Sequence, residues 1–253
     1  MPVHDWTKVE AGVFHAVHHG WIEDIARALN GGLLPPEFYA LPEHRGGGFG
    51  PDVLTLFDAE RKDEQPPTGA RASHAVSDAD GGVVVLDRPR VTATGEIDLE
   101  YYRKKQNTVV VRYVSDDRMV AVVEVVSRGN KSSRVAMEEL LKKVGELLAH
   151  GIHVMVLDLF PPTPRDPNGI HAAILAFLNN MHFTSPPDKP LTLAAYESDL
   201  GVRWYVEPVA VGHTMIDMPL FLHPGAHVPL PLEETYMRAY RAQPARTRGL
   251  VEA

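Results

Sequence analysis

Two apolar runs with a helical pattern between them constrain the fold of this chain most strongly. The runs span residues 119–126 and 152–159 and are rich in valine, isoleucine and leucine. Runs of this length and composition are typical of buried strands. Between them, residues 135–150 carry apolar side chains at helical spacing, with serines before the pattern and Gly151 after it. A strand, a helix and a second strand favour parallel pairing with a right-handed crossover, so the sequence predicts an α/β fold.

The rest of the pattern predicts a mixed β-sheet flanked by helices. Apolar residues recur at every fourth position over residues 13–29, which indicates an amphipathic helix near the start. The runs 82–86, 108–114 and 119–126 are expected to form a meander of consecutive strands. The other predicted strands are 51–57, 191–197 and 203–211, and the other predicted helices are 169–179 and 232–242.

These elements suit a single domain over residues 1–253. We expect its core to span about residues 10–180. A C-terminal extension of strands and a helix is expected over about residues 181–253.

The composition excludes several chemistries but leaves the class of partner open. The chain has 253 residues with 25 basic and 33 acidic side chains, a formal net charge of −8, and no cysteine. The lack of cysteine excludes disulfides, thiolate metal sites and cysteine nucleophiles. It is also typical of a reducing compartment. No stretch approaches the roughly 20 apolar residues of a membrane helix and no secretory signal is recognisable, so a cytoplasmic protein without a membrane partner is expected.

Common catalytic motifs are absent from the sequence. There is no G-x-S-x-G elbow, no Walker phosphate loop and no G-x-G-x-x-G after a predicted strand. Among the 13 histidines, none belongs to a His-x-Glu or His-Glu-x-x-His arrangement. These absences argue against hydrolase triads, nucleotide cofactors, zinc proteases and zinc deaminases.

Glu124 is the exceptional residue of the apolar run 119–126. A carboxylate among valines in a central strand carries a desolvation cost of several kcal/mol unless it is paired or bound to a metal. One interpretation is that Glu124 faces outward at an edge or makes a structural ion pair. The other is that Glu124 and Asp52, at the start of the predicted strand 51–57, converge on a divalent cation. Carboxylate oxygens are the ligands that Mg²⁺ prefers.

A lysine on the predicted helix 135–150 is placed to reach this carboxylate. At about 100° per residue, Lys143 lies beside the apolar face of the helix, whereas Lys142 lies about a quarter turn outside it. Lys143 is therefore expected to lean over the sheet towards Glu124. The alternative is a solvated lysine whose aliphatic part covers the edge of the core.

Other polar residues offer weaker sites. His15, His19 and Glu23 share one face of the first helix, with His18 nearby, and this spacing suits zinc ligands. The alternatives are an exposed polar face or a face that helps to close the carboxylate site. Asp158 ends the second apolar run, where a structural role in capping the following Pro-Pro turn is expected.

Several short motifs resemble known families. Asp52 after a proline, together with Glu124, resembles the signature of the PD-(D/E)XK nuclease superfamily, which has the restriction-endonuclease-like fold. Motifs along most of the chain resemble the bacterial family called domain of unknown function (DUF) 4058, and the pattern is also similar to Uma-type families of the same superfamily. These motifs are Pro51-Asp52-Val53, Glu124-Val125-Val126-Ser127, Asn130-Lys131, Lys143, Gly151-Ile152-His153, Leu157-Asp158-Leu159, Pro161-Pro162, Arg165-Asp166-Pro167 and residues 228–240.

The resemblance implies a metal-dependent nuclease that hydrolyses phosphodiesters in DNA. Asp52, Glu124 and the backbone carbonyl of Val125 would hold Mg²⁺ or Mn²⁺. The usual lysine two residues after the acid is Val126 here, so Lys143 would supply the catalytic cation from the helix.

Three cations follow Glu124 closely in the chain. Arg128, Lys131 and Arg134 are the expected contacts to DNA phosphates, extended by Lys104 and Lys105. The alternative for this segment is a solvated polar turn. Correspondingly, the alternative function is an inactive binding or scaffold protein that retains the fold, in which the two acids and Lys143 form only a buried ion network.

Overall fold

A computed structural model describes residues 3–42, 53–58, 76–77, 83–84, 91–97 and 117–252 of the chain. These residues form a mixed α/β structure, which confirms the predicted fold class. The described helices are α1 (Ala11–Ala28), α2 (Arg134–Ala149), α3 (Ile170–Asn179), α4 (Leu232–Arg241) and α5 (Ala245–Glu252). The described strands are β1 (Phe38–Pro42), β2 (Val53–Asp58), β3 (Val76–Ser77), β4 (Val83–Val84), β5 (Ala93–Ile97), β6 (Asp117–Val125), β7 (His153–Asp158), β8 (Leu191–Ser198), β9 (Val202–Val209), β10 (Met218–His223) and β11 (Ala226–Leu230).

Seven of these strands form the central sheet, in the order β1-β2-β6-β7-β8-β9-β5. β6 and β7 are parallel, with Glu124 opposite Val156, and the other neighbouring pairs are antiparallel. Since α2 connects β6 to β7, the predicted strand-helix-strand unit with parallel pairing is confirmed. Both strands end at the same edge of the sheet, so the segments that come after them leave the sheet side by side.

α2 begins and ends where local chemistry favours it. The Ser133 hydroxyl oxygen accepts a hydrogen bond from the Ala136 amide at 3.0 Å, which satisfies a free amide of the first turn. Gly151 follows the helix with φ of +78°, a conformation that glycine adopts without strain. The buried residues of α2 are Met137, Leu140, Val144, Gly145 and Leu148. This face packs on the sheet and therefore fixes the rotation of the helix.

Different helices cover the two faces of the sheet. α1 and α4 pack on one face, and α2 and α3 pack on the other. Along β6, Val123 and Val125 belong to the core beneath α1, whereas Val122 packs with Leu147 of α2. Because side chains alternate between the faces of a strand, Glu124 points to the α2 side.

The N-terminal residues pack against the C-terminal part of the chain. The Val3 amide donates to the His213 carbonyl at 2.8 Å. The Tyr236 hydroxyl of α4 lies 2.6 Å from His4 Nδ1, and the Trp6 ring meets Tyr236 edge-on. Val3 and Trp6 are both buried, so the first described residues belong to the core beneath α1 and α4.

Several elements differ from the prediction. The predicted meander is wrong, because β6 pairs with β2 and β7, whereas β4 pairs with β3 in a separate two-stranded sheet. The predicted strand 108–114 lies outside the described residues. The sequence pattern also does not predict β1, α5 or the β10–β11 hairpin. Residues 181–253, the predicted extension, supply β8 and β9 to the central sheet. None of the described helices is long and apolar enough to cross a membrane.

Gly95 allows the edge strand β5 to join the sheet. It lies opposite Trp204 of β9, and a methyl group at Gly95 would meet Trp204 Cζ2 at 2.2 Å. The Trp204 ring also packs against the His171 ring of α3, with centroids 4.8 Å apart. Only glycine leaves room for a tryptophan that connects the edge of the sheet to α3.

Substitution of Gly95 should therefore destabilise the fold. We expect Gly95→Ala to lower the free energy of unfolding by about 1–3 kcal/mol, because the added methyl group displaces the packed Trp204 ring. Gly12→Ala in α1 is the matched control, since a methyl group at Gly12 meets no atom within 4 Å. This control should be neutral or up to about 1 kcal/mol more stable. Urea unfolding measures the stability of both variants. If Gly95→Ala were as stable as wild type, the Trp204 ring would not need a glycine at position 95.

Candidate functional site

Glu124 and Lys143 form a nearly buried ion pair between the sheet and α2. Lys143 Nζ lies 2.5 Å from Glu124 Oε2, and the two side chains are 13% and 7% exposed. A short charge-assisted contact of this kind offsets the desolvation of the carboxylate. Glu124, which lies one residue before the end of β6, thus has a cationic partner on α2.

The neighbouring lysine has a different environment. The Lys142 side chain is 62% exposed, and its Nζ lies 3.8 Å from Glu146, one turn along α2. Lys143, rather than Lys142, therefore reaches the carboxylate, in line with its position on the helical wheel. The two lysines offer a matched pair for mutagenesis, because they share a helix but not an environment.

The end of β6 also contacts α1, through His18. The His18 Nε2 lies 3.0 Å from the Val125 carbonyl oxygen. Because a carbonyl oxygen only accepts, Nε2 carries the proton and donates it. Burial lowers the pKa of His18, and the hydrogen bond to Val125 opposes this shift. The carbonyl that the resemblance assigns to a metal is therefore oriented by a histidine from the opposite face of the sheet.

The second expected carboxylate, Asp52, lies outside the described residues. β2 begins at the next residue, Val53, which is paired with Val123 of β6. The start of β2 therefore lies opposite Val123, next to Glu124 in β6.

The described oxygen donors fit a hard divalent cation in chemical type. Glu124 supplies a carboxylate and Val125 a backbone carbonyl, and oxygen donors of both kinds suit Mg²⁺ and Mn²⁺. Within the described residues, no three His, Asp or Glu side chains are grouped so that they could hold a metal ion. Mg²⁺ commonly binds one or two carboxylates and keeps several waters. The set Asp52, Glu124 and Val125 therefore stays a prediction for such an ion, since Asp52 lies outside the described residues.

The zinc set considered as one possibility for α1 does not form within the described part of the chain. His15 and His19 are exposed, and Glu23 lies 3.9 Å from Arg27, one turn along the helix. The His15 ring lies beside that of His18, with centroids 6.2 Å apart. This helix face therefore contributes His18 to the end of β6 and otherwise faces outward.

The expectation that Lys131 contacts DNA is wrong, because this lysine is buried. Its side chain is 3% exposed, and Nζ lies 2.7 Å from both Asp158 Oδ2 and Asp166 Oδ2. The ammonium group also donates to the carbonyls of Phe160 and Pro161 at 3.2 Å. We call Lys131, Asp158 and Asp166 the Lys131 cluster. It ties the loop after β6 to the segment after β7.

The other expected DNA contacts lie in separate environments. Arg134 is exposed on α2 and pairs with Glu138 at 2.6 Å. Arg128 is half-buried, donates to the Trp6 carbonyl, and lies over the Phe160 ring at 5.6 Å. The two remaining candidates, Lys104 and Lys105, lie outside the described residues.

Asp158 has a structural role in the Lys131 cluster. Its Oδ1 accepts a hydrogen bond from the Phe160 amide at 3.1 Å, while Oδ2 faces Lys131. Burial raises the pKa of Asp158 to about 6, and the Lys131 ammonium limits this rise. Two buried carboxylates face one ammonium, so the cluster depends on Lys131 for its electrostatic balance.

Removal of the ammonium should be costly. We expect Lys131→Met to lower the free energy of unfolding by about 3–5 kcal/mol, since it leaves two buried carboxylates without their cation. Lys142→Met, at an exposed position, should change stability by less than about 0.5 kcal/mol. Chemical denaturation compares the two variants. Equal stability would mean that Lys131 is not buried as described.

Two buried histidines contribute to the acid sensitivity of the fold. Burial lowers the pKa of His171 in α3 to about 3 and that of His153 in β7 to about 4. Near pH 5, the unfolded chain binds a proton at each histidine that the folded chain lacks. The folded chain instead holds a proton at Asp158, whose pKa is raised. These three groups together leave the unfolded state with about one extra proton.

These three groups should therefore lower the free energy of unfolding by about 1.4 kcal/mol per unit as the pH drops from about 6 to 4.5. Burial also lowers the pKa values of His4, His18 and His223, which adds to this slope, and raises the pKa of Asp217, which opposes it. His171→Asn removes one of the two histidines and keeps an acceptor for the Tyr196 hydroxyl, which lies 2.7 Å from His171 Nδ1. This variant should show a slope smaller than that of wild type by about 1.4 kcal/mol per unit over the same range. Urea unfolding at several pH values measures the slope, and an unchanged slope would contradict a neutral, buried His171.

Comparison of the chain with protein-family models, curated protein sequences and solved structures found no match. The resemblance to DUF4058 and to the PD-(D/E)XK superfamily therefore stays a prediction from the motifs. Function has to be inferred from the residues at the carboxyl ends of β6 and β7.

Proposed function

We propose that this chain is a metal-dependent nuclease-like phosphodiester hydrolase with a restriction-endonuclease-like core. The observation that carries the proposal is the Glu124–Lys143 pair, with Nζ and Oε2 2.5 Å apart at the carboxyl end of a central strand. It combines an acid and a cation, the two kinds of group that phosphodiester hydrolysis requires of the protein. Both groups are nearly desolvated, which strengthens their effect on a neighbouring charge.

The order of elements supports the nuclease-like core. In chain order, with β3, β4 and β5 between β2 and β6, the helix α1 and the strands β1, β2 and β6 come before α2 and the strand β7. Each neighbouring pair of the first three strands is antiparallel, and β7 is parallel to β6. The acid lies on β6 and the lysine on the next helix. The usual lysine two residues after the acid is replaced by Val126 here, so the catalytic lysine has to come from another element. In this proposal the helix α2 supplies it.

Glu124 and Asp52 are the residues that would hold Mg²⁺ or Mn²⁺ in this proposal. The ion, when bound, polarises the phosphate and lowers the pKa of an attacking water. The ammonium group of Lys143 balances negative charge that develops at the phosphate. His18 keeps the Val125 carbonyl in a fixed orientation from the other face of the sheet.

A binding or scaffold protein that retains the fold is the second candidate. The specific observation in its favour is that the Glu124 carboxylate already has Lys143 as its counter-ion. In such a buried pair the ammonium group balances the charge of the carboxylate, so no metal ion is needed for this balance. Loss of either residue separates the two candidates, because the scaffold would lose stability alone, whereas the enzyme would also lose cleavage.

A cleavage assay distinguishes the two candidates. Plasmid DNA and single-stranded oligonucleotides are incubated with Mg²⁺ or Mn²⁺ and with wild type, Glu124→Gln, Lys143→Met or Lys142→Met. We expect wild type and Lys142→Met to cleave at equal rates. Glu124→Gln and Lys143→Met should each be slower by at least about 100-fold, because each removes a charge that acts in the transition state.

The folded fraction of each variant is checked by its unfolding curve, and rates are compared at a temperature where all four proteins are folded. Equal cleavage by wild type and Glu124→Gln would reject the hydrolase. The absence of metal-dependent cleavage by wild type on both substrates would favour the scaffold.

A further inference from the structure

The last two helices carry a concentration of arginine that contrasts with the acidic chain. Residues 237–252 contain four arginines and a single acid, Glu252, although the whole chain has a net charge of −8. The arginines are Arg238, Arg241, Arg246 and Arg248. Arg238 is paired with Glu234 at 2.5 Å, which leaves three arginines at the α4–α5 junction.

A cleft lies at this junction. Its volume is about 490 Å³, and its lining includes Arg241, Arg248 and Gly249. Arg248 Nη1 donates to the Arg241 carbonyl at 3.2 Å, so the guanidinium is oriented within the junction. The one carboxylate of the cleft, Glu252, accepts a hydrogen bond from the Tyr240 hydroxyl at 2.9 Å. The two guanidinium groups therefore leave an excess of positive charge in the cleft.

Two further cations, Lys8 and Arg128, lie in or contact the turn that packs against α5. α5 packs against the short 3₁₀ turn Trp6–Lys8, where Lys8 is exposed. The Trp6 carbonyl of this turn accepts a hydrogen bond from Arg128, which stands four residues after Glu124 in the chain. A nearby acid, Asp5, is engaged with Thr7, whose hydroxyl donates to it at 2.6 Å. We call Lys8, Arg128, Arg241, Arg246 and Arg248 the arginine surface.

We propose that the arginine surface binds the phosphate backbone of nucleic acid. Charge complementarity favours this occupant, because guanidinium groups bind phosphate oxygens in a planar, bidentate geometry. A series of cations that extends over two helices, a turn and a loop suits a linear polyanion with regularly spaced charges better than a single small anion. The inference deepens the proposed function by naming where its substrate lies, and it rests on that function for the substrate class.

Binding without cleavage tests this surface directly. Fluorescein-labelled single-stranded and duplex DNA are titrated with the protein in EDTA, and fluorescence anisotropy gives Kd over a range of salt concentrations. Arg241→Gln/Arg248→Gln removes the two arginines of the cleft. Arg27→Gln/Lys142→Gln is the matched control, since it also removes two cations, whose side chains are 65% and 62% exposed elsewhere on α1 and α2.

We expect the cleft variant to bind at least tenfold more weakly than wild type at moderate salt. The slope of log K against log salt should fall by about 1.4 for single strands and about 1.8 for duplex DNA, the contributions of two phosphate contacts. The control should stay within about twofold of wild type, with an unchanged slope. Equal loss in both variants would mean that only net charge matters, and it would overturn the proposal.

A steric variant provides a test without loss of charge. Gly249 lines the cleft, and a methyl group there meets no atom within 4 Å, so we expect Gly249→Leu to place its side chain in the cleft without disturbing the fold. Gly12→Leu is its control, because Gly12 is equally open but lies on α1. Gly249→Leu should weaken DNA binding severalfold, whereas Gly12→Leu should not. Wild-type binding by Gly249→Leu would exclude the cleft as part of the surface.

The outcome is independent of the cleavage assay. Weak binding by the cleft variant with no cleavage by wild type would keep the arginine surface and reject the hydrolase. Cleavage that depends on Glu124, combined with wild-type binding by the cleft variant, would keep the hydrolase and reject the arginine surface.

Discussion

Burial of charge at the carboxyl ends of β6 and β7 is the constraint on which the rest of the structure depends. Parallel pairing brings Glu124 and Asp158 to the same edge of the sheet, and each acid is desolvated there. Each acid meets a lysine from a different segment, Lys143 from α2 and Lys131 from the loop after β6. Each lysine therefore balances a charge and also holds its own segment against the sheet. Lys143 retains some exposure and Lys131 has almost none, which separates the candidate site from the structural cluster.

The fold was predictable where local patterns coincide with the final pairing. α1, α2, β6, β7, β8 and β9 have the periodicity or the apolar runs of their elements, and α2 also has its serine cap. The β10–β11 hairpin carries no such signal, because Pro219 lies opposite Pro229 and proline is disfavoured in strands. The meander failed because strand order is set by tertiary contacts, and sequence neighbours are only a first guess at sheet neighbours.

The candidate site was partly predictable for a related reason. The apolar run marks Glu124 as desolvated, and the helical wheel then selects its partner on α2. No local pattern reveals that Lys131 is buried, because its partners come later in the chain than α2, Asp158 at the end of β7 and Asp166 in the segment after it. The arginine surface is only partly visible in the sequence, because residues 237–252 are rich in arginine but join the N-terminal turn and the loop after β6 only in the fold. Sites built from distant segments require the fold before they can be recognised.

The contact of Val3, His4 and Trp6 with the C-terminal helices has a consequence for the order of folding during translation. At about 5–20 residues per second, a ribosome needs on the order of 10–50 s to add the residues that separate these side chains from Tyr236. Throughout that interval the apolar N-terminal residues lack the partners that later bury them. The nascent chain therefore cannot complete its core one segment at a time, and this part of the core closes only after the last helices are synthesised.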